Sequence, residues 1–111
     1  EGINLDDASL VLVAYGSVSR SALTAMRMAR QEGLAVGLLR PITLFPFPDE
    51  PLSRLAQRVN NFLVAELSFG QLIEDVQLAV GKGRRVGLVN KYGGVPLSAE
   101  EILEAIERTA G

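Results

Sequence analysis

The chain has 111 residues, 48% of them hydrophobic and 22% charged, with 11 Lys and Arg against 13 Asp and Glu and neither cysteine nor histidine. Without thiolate or imidazole, these residues cannot build a cysteine-ligated iron–sulfur cluster, a disulfide framework, a cysteine nucleophile, the common zinc sites or a Ser-His-Asp triad. A net charge of −2 supplies no broad positive field for phosphate backbones or anionic lipid, so neither nucleic acid nor a membrane surface is expected as a partner.

The length suits one domain. The longest apolar run, Leu10 to Tyr15, is far short of the roughly 20 residues of a spanning helix, and no basic segment leads into an apolar one as in a signal peptide. The composition is that of a cytoplasmic protein. Glu1 as first residue suggests a domain of a longer polypeptide, in which residues 1–9 are a linker remnant or an extra edge strand and residues 10–111 a single α/β domain.

Four β-branched runs follow in chain order: Leu10 to Tyr15, Ala35 to Leu39, Phe62 to Glu66 and Val86 to Asn90, with starts 25, 27 and 24 residues apart. They are continuously apolar rather than alternating, which predicts strands buried on both faces in a parallel sheet. After the first run, Val18, Ala22, Ala25, Met26 and Ala29 form a helical stripe, and Gly33 supplies a left-handed stop. After the second, Asp49, Glu50 and Pro51 start a helix with the stripe Leu52, Leu55, Ala56 and Val59. After the third come Leu72, Ile73, Val76, Ala79 and Val80, ended by Gly81. Gly81 to Arg85 reads as a C-cap with cations that favour the helix dipole. Before the last helix, Ser98 and Glu101 form a capping box, with Leu97 and Ile102 at the staple positions.

The order β-α-β-α-β-α-β-α with right-handed crossovers predicts a three-layer α/β/α sandwich on a mostly parallel sheet of four or five strands. Half of an eightfold barrel has the same pitch but leaves two open edges. In open α/β sheets, ligands and partners meet the carboxyl ends of the strands. There the chain places Tyr15 to Ser19, Arg40 to Pro48, Glu66 to Gln71 and Asn90 to Pro96. Five of its six aromatic residues (Tyr15, Phe45, Phe47, Phe69 and Tyr92) fall in these loops, and Phe62 lies in a strand. An aromatic rim reads as a docking surface or pocket, or as closure of the core.

Gly16 and Ser17 open a helix after a strand, where backbone donors could hold an anion, but Ser17 or Ser19 is equally suited to capping. The prolines between Arg40 and Pro48 enforce an extended path. Arg40 is placed either to bind a carboxylate or phosphate, or to pair with Glu66 if their strands end side by side. Glu66, closing a buried strand, is the one acid/base candidate, with an ion pair or a helix cap as its structural alternative.

The loops as they stand, Ala14-Tyr-Gly-Ser17, Arg40-Pro-Ile-Thr-Leu-Phe-Pro-Phe-Pro48, Val64-Ala-Glu-Leu-Ser-Phe-Gly-Gln-Leu-Ile-Glu-Asp75 and Lys91-Tyr-Gly-Gly94, resemble the C-terminal domain of the α subunit of 2-oxoacid:ferredoxin oxidoreductases, from about Ser9 to Glu107. Leu67-Ser68-Phe69 departs mildly from the family's acidic-polar run before Gly-Gln. The resemblance implies a transketolase C-terminal-like fold with an added antiparallel edge strand. It also implies a parent enzyme that decarboxylates a 2-oxoacid on thiamine diphosphate and magnesium, reduces ferredoxin through iron–sulfur clusters and forms acyl-CoA. Overall likeness places 2-oxoglutarate ahead of pyruvate and branched-chain substrates.

By the same resemblance this domain carries no catalytic group and binds no cofactor itself. It is an accessory domain packed on a preceding pyrimidine-type domain and a β subunit, reaches ferredoxin through the complex, and is compatible with a homodimer. Gly16, Ser17, Arg40, Thr43, Phe45, Phe47, Glu66, Gly70, Gln71 and Tyr92 are then ligand or interface contacts. The alternatives are a stand-alone small-ligand or nucleotide-binding module and a structural dimerisation domain.

Overall fold

A computed structural model describes residues 2–41, 49–66, 71–91 and 97–110. In chain order these form β1 (Gly2–Ile3), β2 (Leu10–Ala14), α1 (Val18–Gln31), β3 (Val36–Leu39), α2 (Asp49–Leu55), β4 (Asn61–Glu66), α3 (Gln71–Val80), β5 (Arg85–Asn90) and α4 (Ala99–Ala110). The sheet order is β1-β3-β2-β4-β5. Strands β2 to β5 are parallel, and β1 pairs antiparallel with β3 through Gly2 opposite Leu39 and Ile3 opposite Leu38.

Successive strand side chains point to opposite faces, and both faces are covered. Leu10, Leu12 and Ala14 of β2, with Leu38 and Leu63, pack under α1 (Ala22, Ala25, Met26, Ala29) and α4 (Ile102, Ala105, Ile106). Val11 and Val13, with Leu39, Phe62 and Val64, pack under α2 (Leu52, Leu55) and α3 (Leu72, Val76, Val80). This is the three-layer α/β/α arrangement, and it explains why β2, β3 and β4 are apolar at nearly every position.

The fourth run differs from expectation. β5 is half-buried along much of its length, and Leu88 is 38% exposed. Among the described residues it is the edge strand beyond β4, and its continuous apolar sequence is not matched by burial on both faces. Smaller differences lie at the ends: Tyr15 and Ala35 fall just outside β2 and β3, while Asn61 and Arg85 join β4 and β5.

The caps are mostly local. After α1, Gly33 takes φ +88° and donates to the Arg30 carbonyl at 3.0 Å, and the Leu34 amide donates to Ala29 at 3.0 Å. This left-handed closure is one that glycine enters without a Cβ penalty. After α2, the chain stays helix-like to Val59, whose amide donates to the Leu55 carbonyl at 2.8 Å, so the predicted stripe through Ala56 and Val59 is buried beyond the helix proper. After α3, Gly81 takes φ +81° and donates to the Gln77 carbonyl at 3.2 Å, the expected C-cap, and Arg84 Nε in the same run donates to the Ala56 carbonyl just past α2.

Two long arginines fasten residues 4–7. Arg30, in the last turn of α1, donates to the carbonyls of Asn4 (2.9 Å) and Val36 (2.8 Å) and forms a two-pronged pair with Asp7 (2.7 and 3.2 Å). Arg58 Nη2 donates to the Leu5 carbonyl at 2.8 Å.

Candidate functional site

The register brings the parallel strand ends to one rim. Val13 is opposite Leu39, Ala14 opposite Ala65, and Glu66 opposite Asn90. Across the rim therefore stand Arg40 after β3, Tyr15 to Ser17 after β2, Glu66 ending β4, and Asn90 with Lys91 at β5. From β2 the chain crosses to β3 on one side, while from β4 it crosses to β5 on the other. The connections diverge between β2 and β4, and that divergence opens the crevice of an open α/β sheet. Gly16-Ser17 and Glu66 flank it.

Gly16 has φ +78°, a left-handed turn that swings the chain from β2 straight into α1. Ser17 occupies the N-cap position of α1 in a helical conformation (φ −62°, ψ −28°), and its side chain makes no capping bond. The buried Ser19 hydroxyl instead donates back to the Gly16 carbonyl at 2.6 Å. Simple capping by either serine, weighed from the sequence, is thus not what the structure shows. Ser17 is exposed on the rim beside Tyr15, which is 40% exposed.

Glu66 is 5% exposed. Its Oε2 accepts the Ile73 amide at 3.3 Å, in the first turn of α3. A carboxylate there complements the positive end of the helix and satisfies one of its orphan donors. This geometry favours the structural alternative over acid/base work. Arg40 is half-buried at the end of β3. β2 lies between β3 and β4, so Arg40 and Glu66 close strands two places apart in the sheet. Gln71 opens α3. Thr43, Phe45, Phe47, Gly70 and Tyr92 lie outside the described residues.

At the β5 end of the rim, sequence reasoning found the capping box but missed the cation beside it. The Ser98 amide donates to Glu101 Oε1 at 3.0 Å and the Glu101 amide to Ser98 Oγ at 3.1 Å. Lys91 Nζ lies 2.8 Å from Glu101 Oε2, bridging the end of β5 to the start of α4. The Lys91 bond, followed by the Ser98 amide, holds the Glu101 carboxyl down at about 2 against an ordinary 4.5. A depressed carboxyl stabilises the fold at pH values above its unfolded pKa, and that contribution is lost as pH falls through the folded one. Glu101→Gln is therefore expected to be less stable than the parent at pH 7, with the gap in urea midpoint closing between pH 4.5 and 2. A gap that persists unchanged at pH 2 contradicts this assignment.

Among the described residues, no three Asp, Glu, His or Cys side chains converge as metal ligands, and no helix is long and apolar enough to cross a membrane. With no cysteine in the sequence, these residues do not fit a cysteine-ligated iron–sulfur cluster.

The family described as pyruvate:ferredoxin oxidoreductase core domain II matches residues 8–102. The chain is 49% identical over 107 residues to ketoisovalerate oxidoreductase subunit VorB of Methanothermobacter thermautotrophicus, covering 96% of this chain and 30% of that one. It is 42% identical over 106 residues to 2-oxoglutarate synthase subunit KorA of Methanocaldococcus jannaschii, covering 96% and 28%. The chain thus spans under a third of the length of these relatives. Among solved structures, a 2-oxoglutarate:ferredoxin oxidoreductase from Magnetococcus marinus superimposes with a TM-score of 0.87 at 22% identity, over 100% of this chain and 19% of that one. A split-gene transketolase superimposes with a TM-score of 0.82 at 23% identity, over 98% and 41%. At these identities the likeness establishes the fold, which is transketolase C-terminal-like.

Proposed function

The chain belongs to the 2-oxoacid:ferredoxin oxidoreductase family, as a counterpart of its core domain II, and from that premise we propose that it is the accessory, assembly-forming domain of such an enzyme's α subunit. The parent converts a 2-oxoacid and CoA to acyl-CoA and CO2, passing two electrons to ferredoxin in the cytoplasm. Thiamine diphosphate, magnesium and the iron–sulfur clusters belong to other parts of the complex, consistent with a sequence that holds no cysteine or histidine. The neighbours of this domain are a pyrimidine-type domain of the same subunit and a β subunit. The higher identity to the ketoisovalerate relative favours a branched-chain 2-oxoacid over 2-oxoglutarate as substrate.

The observation that carries this reading is the rim itself. Four parallel strand ends converge there, exposed Tyr15 and Ser17 stand at the divergence point, and the buried Glu66 carboxylate accepts the Ile73 amide at the start of α3. Such a surface suits contact with neighbouring domains and the approach to an active site built elsewhere. Gly16, Ser17, Arg40, Thr43, Phe45, Phe47, Glu66, Gly70, Gln71 and Tyr92 are the proposed contacts. In the complete enzyme, Arg40→Ala and Phe47→Ala are each expected to lower turnover or subunit co-purification by about tenfold, equivalent to about 1.4 kcal/mol. If both variants assemble and turn over like the parent, the rim does not serve this role.

A further inference from the structure

On the face opposite α1 and α4, α2 and α3 border an open groove of about 610 Å³ lined by Asp49, Glu50, Ser53, Asp75, Leu78 and Ala79. Leu78 is 82% exposed. It stands on the outer side of α3, where an amphipathic helix ordinarily carries polar residues, as Glu74, Asp75 and Gln77 do around it. Scattered exposed leucines are unremarkable, but this one sits in a concave surface with carboxylates on both helices. Helix-dipole complementarity accounts for Asp49, Glu50 and Glu74 in their first turns and leaves Leu78 unexplained.

The charged side chains that line the groove are all carboxylates. Arg54 approaches Glu50 at 3.8 Å with both side chains largely exposed. The sequence holds no lysine or arginine from Pro41 to Ser53 or from Leu67 to Gly81. An apolar anchor within an acidic surround matches a segment that presents an apolar side chain flanked by cations, because the charges steer and orient the segment and the buried apolar contact holds it. A second copy using the same face would set carboxylates against carboxylates, which costs rather than gains.

We propose that the α2–α3 groove docks a basic segment with an apolar anchor from a partner subunit of the oxidoreductase. This rests on the assembly reading above. The test uses the full-length subunit co-expressed with its partner subunits. Co-purification of the unmodified subunit with its partners tests the assembly reading; the variants test the groove. Leu78→Ser and the neutralised Asp49→Asn/Glu50→Gln/Asp75→Asn subunit are each expected to bind the partner at least tenfold more weakly, and the neutralised subunit to lose much of the salt dependence of binding. Both change exposed positions, and an unchanged melting temperature of the free subunit verifies folding. A photo-reactive residue introduced at Leu78 is expected to cross-link to a Lys- or Arg-containing peptide of the partner subunit. Parent-like affinity and salt dependence in both variants overturn the proposal, as does cross-linking only within the same polypeptide or to a second copy.

Discussion

Phe62→Ala is expected to destabilise the domain by about 3–5 kcal/mol, the usual cost of emptying a large aromatic site in a core. Phe62 is fully buried in β4, with Val11 and Val86 as its register neighbours and with α2 and α3 packed over its face. Its ring is too large for these elements to collapse onto the space without moving helices that are themselves fixed by buried Leu52 and Val76. Against a total stability of about 5–15 kcal/mol for a domain, this loss is a large fraction of the whole. It should lower the urea midpoint with little change in slope and the melting temperature by more than about 10 °C. Phe62→Leu, which keeps most of the volume, should cost less than half as much. A cost below about 1 kcal/mol for the alanine variant contradicts this packing.

Gly37→Ala is expected to destabilise by about 1–3 kcal/mol through overpacking, although alanine ordinarily outperforms glycine inside a strand. A Cβ at this position would lie 2.8 Å from the Asn4 carbonyl oxygen, 2.9 Å from Leu5 Cδ2 and 3.1 Å from Ala8 Cβ. The leucine tip can swing away. The Asn4 carbonyl cannot retreat freely, because it accepts a bond from Arg30, which is itself paired with Asp7. Relief therefore requires residues 4–8 to lift from the sheet and loosens the antiparallel pairing of β1 with β3. Thermal unfolding should show the loss, and amide exchange at Leu38 and Leu39 should accelerate. A stabilised variant with protected amides would show that the close approach is absent.

These two sites also mark what could be read along the chain. Phe62 lies in an apolar run whose burial is predictable from its neighbours. The need for glycine at position 37 has no local signal, because the obstructing atoms belong to residues more than 28 positions earlier. The Ser98–Glu101 box and the Gly33 closure were legible since both partners lie within a turn of each other. The reach of Arg84 to the end of α2, of Arg30 to residues 4–7 and of Lys91 to Glu101 was not, since each spans separate elements. Glu66 was recognised as needing a partner, yet which partner depended on how α3 leaves the rim.

By itself the sequence determined the kind and order of the elements, the apolar faces that form the two cores, the absence of thiolate and imidazole chemistry, and a resemblance that the family comparison bears out. Those features arise from residues a few positions apart or from composition. Only the tertiary structure decided that β2 stands between β3 and β4, that β5 is the half-open edge, and that Leu78 is left exposed between two acidic helices. Strand order follows from how all the crossovers together cover both sheet faces, a property of the whole sheet that no short stretch of the chain carries.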